Sequence, residues 1–156
     1  MLERILKALL TVACAAVCCG SLAAQTAKTI TIRMIDGASG KPLSSSSVLI
    51  RINHLPTPHG DWVHANEDGT ATVTLPPDAT LLTPQASYGG AMDSYVNCDA
   101  VKDKEFVGPH WYAVSEILAT GVVTPNGCGK RTAVAKPGEF VFFVRAKNLR
   151  DSMQTE

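Results

Sequence analysis

The chain has 156 residues and carries 14 basic and 14 acidic side chains, so its formal net charge is zero. A chain this close to neutrality lacks the clustered Lys and Arg with which proteins hold nucleic acid or an anionic membrane surface. Its length suits a single domain with a sizeable buried core. We therefore expect one domain and no nucleic-acid partner.

The N-terminal region has the layout of a secretory signal peptide. Arg4 and Lys7 precede the largely apolar run 8–19, and small residues follow over 21–24. The apolar run is too short to span a bilayer and fits the middle region of an export signal. We predict that residues 1–24 are removed. The remaining domain, residues 25–156, is expected to be periplasmic or secreted and to contain no transmembrane segment.

Lipid anchoring at Cys19 is the alternative at this end of the chain. Cys19 follows the apolar run directly, as the lipidated cysteine of a bacterial lipoprotein does. However, Ala16 and Cys18 depart from the usual Leu-x-Gly/Ala-Cys pattern. The pattern thus favours a free N-terminus.

Removal of the signal region would leave two cysteines, Cys98 and Cys128. In an oxidising compartment such a pair favours a disulfide over a metal site or a free nucleophile. Closing a loop of this length stabilises a fold by roughly 3–4 kcal/mol on the chain-entropy account. The pair lacks C-x-x-C spacing, so we do not expect disulfide exchange. Two separate free thiols are the alternative.

Strand patterns and turn formers alternate along the domain. Alternating apolar residues predict strands over Thr29–Met34, Ser47–Ile52 and Thr70–Leu75. A polar, His- and Pro-rich stretch separates the second strand from the third. Leu81–Tyr88 also has strand character, but Pro84 is expected to place it at a sheet edge or to break it.

The second half of the chain adds two short elements and one strong strand. Ser94–Asp99 predicts a short strand that carries Cys98. Val114–Thr120 predicts the one helix, with Ser115 as its cap and Gly121 as its stop. Glu139–Lys147 is apolar on both faces, which indicates a central strand. The pattern as a whole predicts an all-β fold: a single Ig-like or prealbumin-like antiparallel β-sandwich of about seven strands with one short helix.

Three motifs in the first half of the domain resemble a known family. A strand leads into Ser39-Gly40-Lys41-Pro42-Leu43, a second strand follows, and Asp68-Gly69 opens the third. This succession resembles the carboxypeptidase regulatory-like domains, which are transthyretin-like (prealbumin-like) sandwiches, over about Thr29–Leu75. The segments Ser115–Val123, Asn126–Gly129 and Pro137–Val144 are similar to segments of small uncharacterised exported bacterial proteins.

The resemblance implies a scaffold or accessory domain without catalytic residues. Hydroxyisourate hydrolases share the transthyretin-like fold, but they end in Tyr-Arg-Gly-Ser and use paired histidines. This chain ends in a different sequence, 148–156, and lacks that signature. A fold alone indicates little about activity. No enzymatic role is therefore carried over from those hydrolases.

Three histidines are weak candidates for a metal site. His54, His59 and His64 recur every five residues in the polar stretch after the second strand. Imidazoles bind transition metals, but this spacing matches neither one helix face nor one strand face. We expect a solvated loop, no bound metal and no cofactor.

Aromatic side chains are the candidates for ligand binding. Trp111 and Tyr112 are adjacent, and Trp62 would extend a platform if it lay at the same end of the sandwich. Flat aromatic faces stack on sugar rings and peptides. Packing of the pair in the core is the alternative.

No catalytic constellation is recognised in the sequence. The serine run Ser44–Ser47 supplies hydroxyls but has no Gly-x-Ser-x-Gly elbow. The leading hypothesis is an exported, non-catalytic domain with a binding or structural role in the bacterial cell envelope, its partner an envelope protein, a peptide or a polysaccharide. The alternative is a small hydrolase or metal-dependent enzyme on a transthyretin-like fold, which requires a pocket that gathers at least two histidines.

Overall fold

The computed structural model describes residues 27–55, 62–88, 94–99 and 110–148, with nine strands and one helix among them. In chain order these are β1 (Lys28–Asp36), β2 (Ser46–Ile52), β3 (Val63–His64), β4 (Thr70–Leu75), β5 (Leu81–Tyr88), β6 (Tyr95–Asn97), β7 (Tyr112–Ala113), α1 (Val114–Ala119), β8 (Val122–Val123) and β9 (Glu139–Ala146). The predicted signal region, residues 1–24, lies outside the described residues, and so does the tail after 148. The described residues contain no helix long and apolar enough to cross a membrane.

The strands form two sheets that pack face to face, so the predicted all-β sandwich is confirmed. The first sheet has the order β4-β1-β9-β6, with β8 also paired to β9, and the second has the order β3-β2-β5-β7. The described strands number nine rather than about seven because β3, β7 and β8 have two residues each. Strands this short carry no detectable alternation in the sequence.

The first sheet is mixed, not purely antiparallel. β9 runs parallel to both β1 and β8, and antiparallel to β6. The remaining ladders between the described strands are antiparallel. Because hydrophobic alternation is the same in both kinds of ladder, the sequence pattern did not reveal the direction of pairing.

The last strand, β9, occupies the centre of the first sheet, as its apolar sequence predicted. β1 pairs along one side of β9, while β8 and β6 share the other side. Phe140, Phe142 and Val144 point into the main core, whereas Val141 and Phe143 belong to a smaller cluster on the outer face. Both faces of β9 are thus buried, but under different neighbours.

The main core lies between the sheets and takes one face from each long strand. Ile30, Ile32 and Met34 of β1 face Val48, Ile50 and Ile52 of β2 across this core, and all six are nearly inaccessible. This is the alternation that the sequence showed. Burial of such side chains is the main stabilising contribution to a fold of this kind.

Pro84 does not break β5, and β5 is not an edge strand, since it lies between β2 and β7. The Asn53 N–H donates to the Leu81 carbonyl, which fixes the phase of the β2–β5 ladder. Since hydrogen-bonded pairs alternate along antiparallel strands, the nitrogen of Pro84 faces away from β2. β7 pairs only with residues 81 and 82, so no ladder bond is lost at Pro84. The strand is locally unpaired at that position, and this is why it tolerates proline.

The short helix α1 begins two residues earlier than a cap at Ser115 requires. Its N-cap is Ala113, which makes no side-chain hydrogen bond, so the expectation of a Ser115 cap was wrong. The C-terminal signal holds: Gly121 follows the helix with φ of 78° and its N–H donates to the Ile117 carbonyl. The pairing of β7 with β5 leads directly into α1, and the N–H of Val114, the first helical residue, donates to the Thr80 carbonyl.

Candidate functional site

The predicted cysteine pair lies at disulfide-bonding distance. The Cα atoms of Cys98 and Cys128 are 5.2 Å apart, within the range that a disulfide requires. Cys98 follows β6 and is fully buried, and Cys128 lies in the segment 124–136 between β8 and β9. The pair therefore joins that segment to the edge of the first sheet.

Segment 124–136 covers the outer face of the first sheet around the cysteines. Asn126 donates to the carbonyls of Gly37 and Arg131 and accepts from the Cys128 N–H. A Cβ at Gly129 would collide with the Gly37 carbonyl, so the two backbones touch. The contacts of this region bury apolar side chains of the sheet, among them Val141 and Phe143.

Trp111 packs beside a tight turn at the end of β2. Its ring centroid lies 4.2 Å from that of His54, with the planes tilted by 44°. Asn53 and His54 both have positive φ, 54° and 58°, in the turn that the Leu55 N–H closes on the Ile52 carbonyl. Asn and His adopt this left-handed conformation more readily than most residues that have a side chain. Trp111 is half-buried, with His54 against its ring.

The neighbouring tyrosine joins the core. Tyr112 makes an edge contact with Phe140, at 5.0 Å between centroids, and its hydroxyl donates to Asp99 Oδ2 at 2.6 Å. Burial raises the pKa of the Tyr112 phenol, and the hydrogen bond and negative charge of Asp99 raise it further. The phenol is thus a neutral donor throughout the physiological range. Its ring is a packing group.

The two candidate histidines that the structure describes, His54 and His64, make separate contacts. His59 lies outside the described residues, and His64 is bonded through Nδ1 to the Ser47 hydroxyl at 2.8 Å, in the β2–β3 ladder. Within the described parts of the chain, no three His, Cys, Asp or Glu side chains are grouped where they could hold a metal ion. Trp62 is half-buried next to β3, on a different sheet edge from Trp111.

The hydrogen bond between Ser47 and His64 resembles that between a catalytic serine and its base, but the Ser47 hydroxyl is not accessible to a substrate. Ser47 is only 1% exposed, so its hydroxyl does not face a substrate. A nucleophilic serine also needs a base that a third group orients and a place for the reacting carbonyl. The hydrogen bond instead satisfies a buried hydroxyl at a sheet edge. This pair could not be predicted from local sequence, because it depends on the β2–β3 register.

The feature of the described surface that suits a ligand is an apolar cleft between the sheets. It has a volume of about 550 Å³ and lies on the side where β4 ends the first sheet and β3 ends the second. One wall is formed by Val48, Ile50, Ile52 and Val63, and the other by residues 72–75 of β4. Its size and composition are those of small-molecule and peptide pockets.

Among the residues that the structure describes, none of the candidate binding or metal residues lines the cleft. Trp62, Trp111, Tyr112, His54 and His64 all lie outside its lining. Its apolar residues are the same ones that read as core in the strand patterns. The sequence indicates which face of a strand is apolar, but whether the opposite sheet covers that face depends on packing between distant segments.

Comparison of the chain with protein-family models, with curated proteins and with solved structures found no match.

Proposed function

We propose that this chain is an exported, non-catalytic β-sandwich domain that binds a ligand in the bacterial cell envelope through the cleft between β2, β3 and β4. The observation that carries the proposal is the cleft itself. It lies at one edge of the sandwich, where Val63 and Val73 on its two sides are only partly buried. A folded domain gains stability by closing such a gap, so an apolar occupant has a favourable free energy of entry.

The character of the cleft favours a peptide or protein over a polysaccharide. Sugars are held by aromatic faces and by several polar groups. The cleft offers mainly aliphatic side chains and the prolines Pro76 and Pro77. None of the described residues that line it is charged, so recognition rests on apolar contact and on backbone groups.

Export is supported by the signal layout of residues 1–24 and by the cysteine pair, since disulfides persist in oxidising compartments. The resemblance of Thr29–Leu75 to carboxypeptidase regulatory-like domains supports an accessory rather than a catalytic role. Intact mass of the exported protein checks the first part. Loss of residues 1–24 is expected, and a lipid adduct on Cys19 would replace it with the anchored alternative.

Binding in the cleft is tested by titration of the exported protein with the apolar dye 1-anilinonaphthalene-8-sulfonate. Val73→Asp places a carboxylate on the β4 wall, which repels the sulfonate of the dye, and it is expected to abolish the fluorescence increase. Val134→Asp is the matched control, since Val134 is 81% exposed in segment 124–136 and outside the cleft. Equal dye binding by both variants, with both folded by circular dichroism, would remove the cleft from the account.

A further inference from the structure

The outer edge of β4 carries backbone groups without a ladder partner. The Met34 N–H donates to the Gly69 carbonyl, which sets the phase of the β1–β4 ladder. Since alternate residues bond to opposite sides of a strand, Ala71, Val73 and Leu75 bond toward β1. The N–H and C=O groups of Thr72 and Thr74 then face outward. No described strand pairs with that side of β4.

This edge lacks the features that usually block strand addition. Edge strands are commonly protected by charged side chains, proline, bulges or very short length. β4 is six residues long, and its sequence Thr-Ala-Thr-Val-Thr-Leu contains no charge and no proline. Thr72 and Thr74 are exposed. The edge is therefore available as a template for another strand.

The same edge borders the apolar cleft. Thr72, Val73 and Thr74 line it, with Val63 and Ile50 on the other side. A strand added to β4 would point every second side chain in the direction of the Val73 side chain, which is into the cleft. Main-chain bonds and a pocket for alternate side chains would then act together, as in other cases of strand addition.

Charge at the ends of β4 indicates the direction and sequence of the added strand. Glu67 and Asp68 are exposed just before β4, and bonds from Thr70 to its carboxylate lower the pKa of Asp68, which keeps it ionised. At the other end, the Lys28 ammonium donates to the Pro77 carbonyl. An antiparallel strand with a basic residue at its C-terminal end would meet the acidic end.

We propose that the occupant of the cleft is an extended segment of another protein, with alternating aliphatic residues and a basic C-terminal end, which adds to β4 as an antiparallel strand. This inference rests on the proposed function. It excludes a lipid chain or a sugar as the ligand, since neither supplies amide groups for Thr72 and Thr74.

The test uses a synthetic probe, acetyl-Lys-Thr-Ile-Thr-Ile-Arg-amide, which copies residues 28–33, the stretch that already pairs with β4 on its inner edge. On the outer edge its isoleucines would face the cleft and its threonines would bond to Thr72 and Thr74. A matched control peptide carries N-methyl groups on both threonines. Amide exchange by NMR on the exported protein is the measurement. Exchange at Thr72 and Thr74 is expected to slow by roughly tenfold or more with the probe and to be unchanged with the N-methylated peptide.

A protein variant makes the test independent of the peptide chemistry. Thr72→Pro removes an outward N–H and no bond to β1, so an edge strand tolerates it. It should weaken probe binding by roughly tenfold or more, whereas Thr72→Val should not.

Three outcomes would overturn strand addition. They are equal binding of the two peptides, dye binding in the cleft without any binding of the probe, and protection of Thr72 in the absence of peptide that grows with protein concentration. The second leaves the proposed function standing, and the third assigns the edge to a second copy of this chain. If Val73→Asp leaves dye binding intact, the proposed function itself fails.

Discussion

Reduction of the Cys98–Cys128 pair tests how segment 124–136 is held in place. The cysteines are separated by 30 residues. Closing a loop of that length lowers the conformational entropy of the unfolded chain, which raises its free energy by about 3.6 kcal/mol at 25 °C. The free energy of unfolding of a whole domain is about 5–15 kcal/mol, so this bond is expected to supply a large share of the stability.

The assay is urea unfolding of the exported protein, followed by tryptophan fluorescence with and without dithiothreitol. Reduction should lower the free energy of unfolding by about 3–4 kcal/mol. The double variant Cys98→Ala/Cys128→Ala should lose slightly more, because Cys98 is fully buried and alanine leaves a small gap. A loss below about 1 kcal/mol in both cases would refute the reasoning. It would mean that Asn126 and the apolar contacts fix the segment without the bond.

Three further predictions follow from single contacts. Gly129→Ala should lower the melting temperature far more than Gly138→Ala, because a Cβ at Gly129 meets backbone while Gly138, with φ of 79°, has open space and bears only the conformational cost of about 1–2 kcal/mol. Tyr112→Phe should lower the free energy of unfolding in urea by about 1–2 kcal/mol, because the hydrogen bond to Asp99 is lost. An unchanged unfolding midpoint would contradict that hydrogen bond. Hydrogen bonds from Ser39 lower the pKa of Asp36, so its contribution is present above the unfolded pKa of about 4 and is lost as pH falls below it. Stability measured from pH 5 to pH 2 should therefore fall less steeply in Asp36→Asn than in the parent, and parallel curves would contradict the assignment.

The sequence was sufficient to predict the long strands and the class of fold. Alternation in β1, β2 and β4, and the doubly apolar β9, depends on local pattern alone, which a reader of the sequence sees directly. The cysteine pair was predictable for a different reason, since only two cysteines follow the predicted signal region, residues 1–24. In each case the information lies in residue type and spacing.

The cleft and the Ser47–His64 pair were not predictable from the sequence. Both depend on how β3 and β4 lie at the edges of different sheets, and no local pattern encodes that distance. The burial of Phe143 on the outer face of the first sheet was likewise not predictable from local sequence. Its burial under segment 124–136 requires the contact between Gly37 and Gly129, which are far apart in the chain.

The measurement that tests the central claim most directly is chemical-shift mapping of residues 25–156 during titration with the probe peptide that copies residues 28–33. If the peptide adds to β4, the shifts will concentrate at Val63, Val73 and Thr74, around the cleft. Shifts concentrated at His54 and Trp111 would place the ligand beside the turn at the end of β2. That result would contradict binding in the cleft.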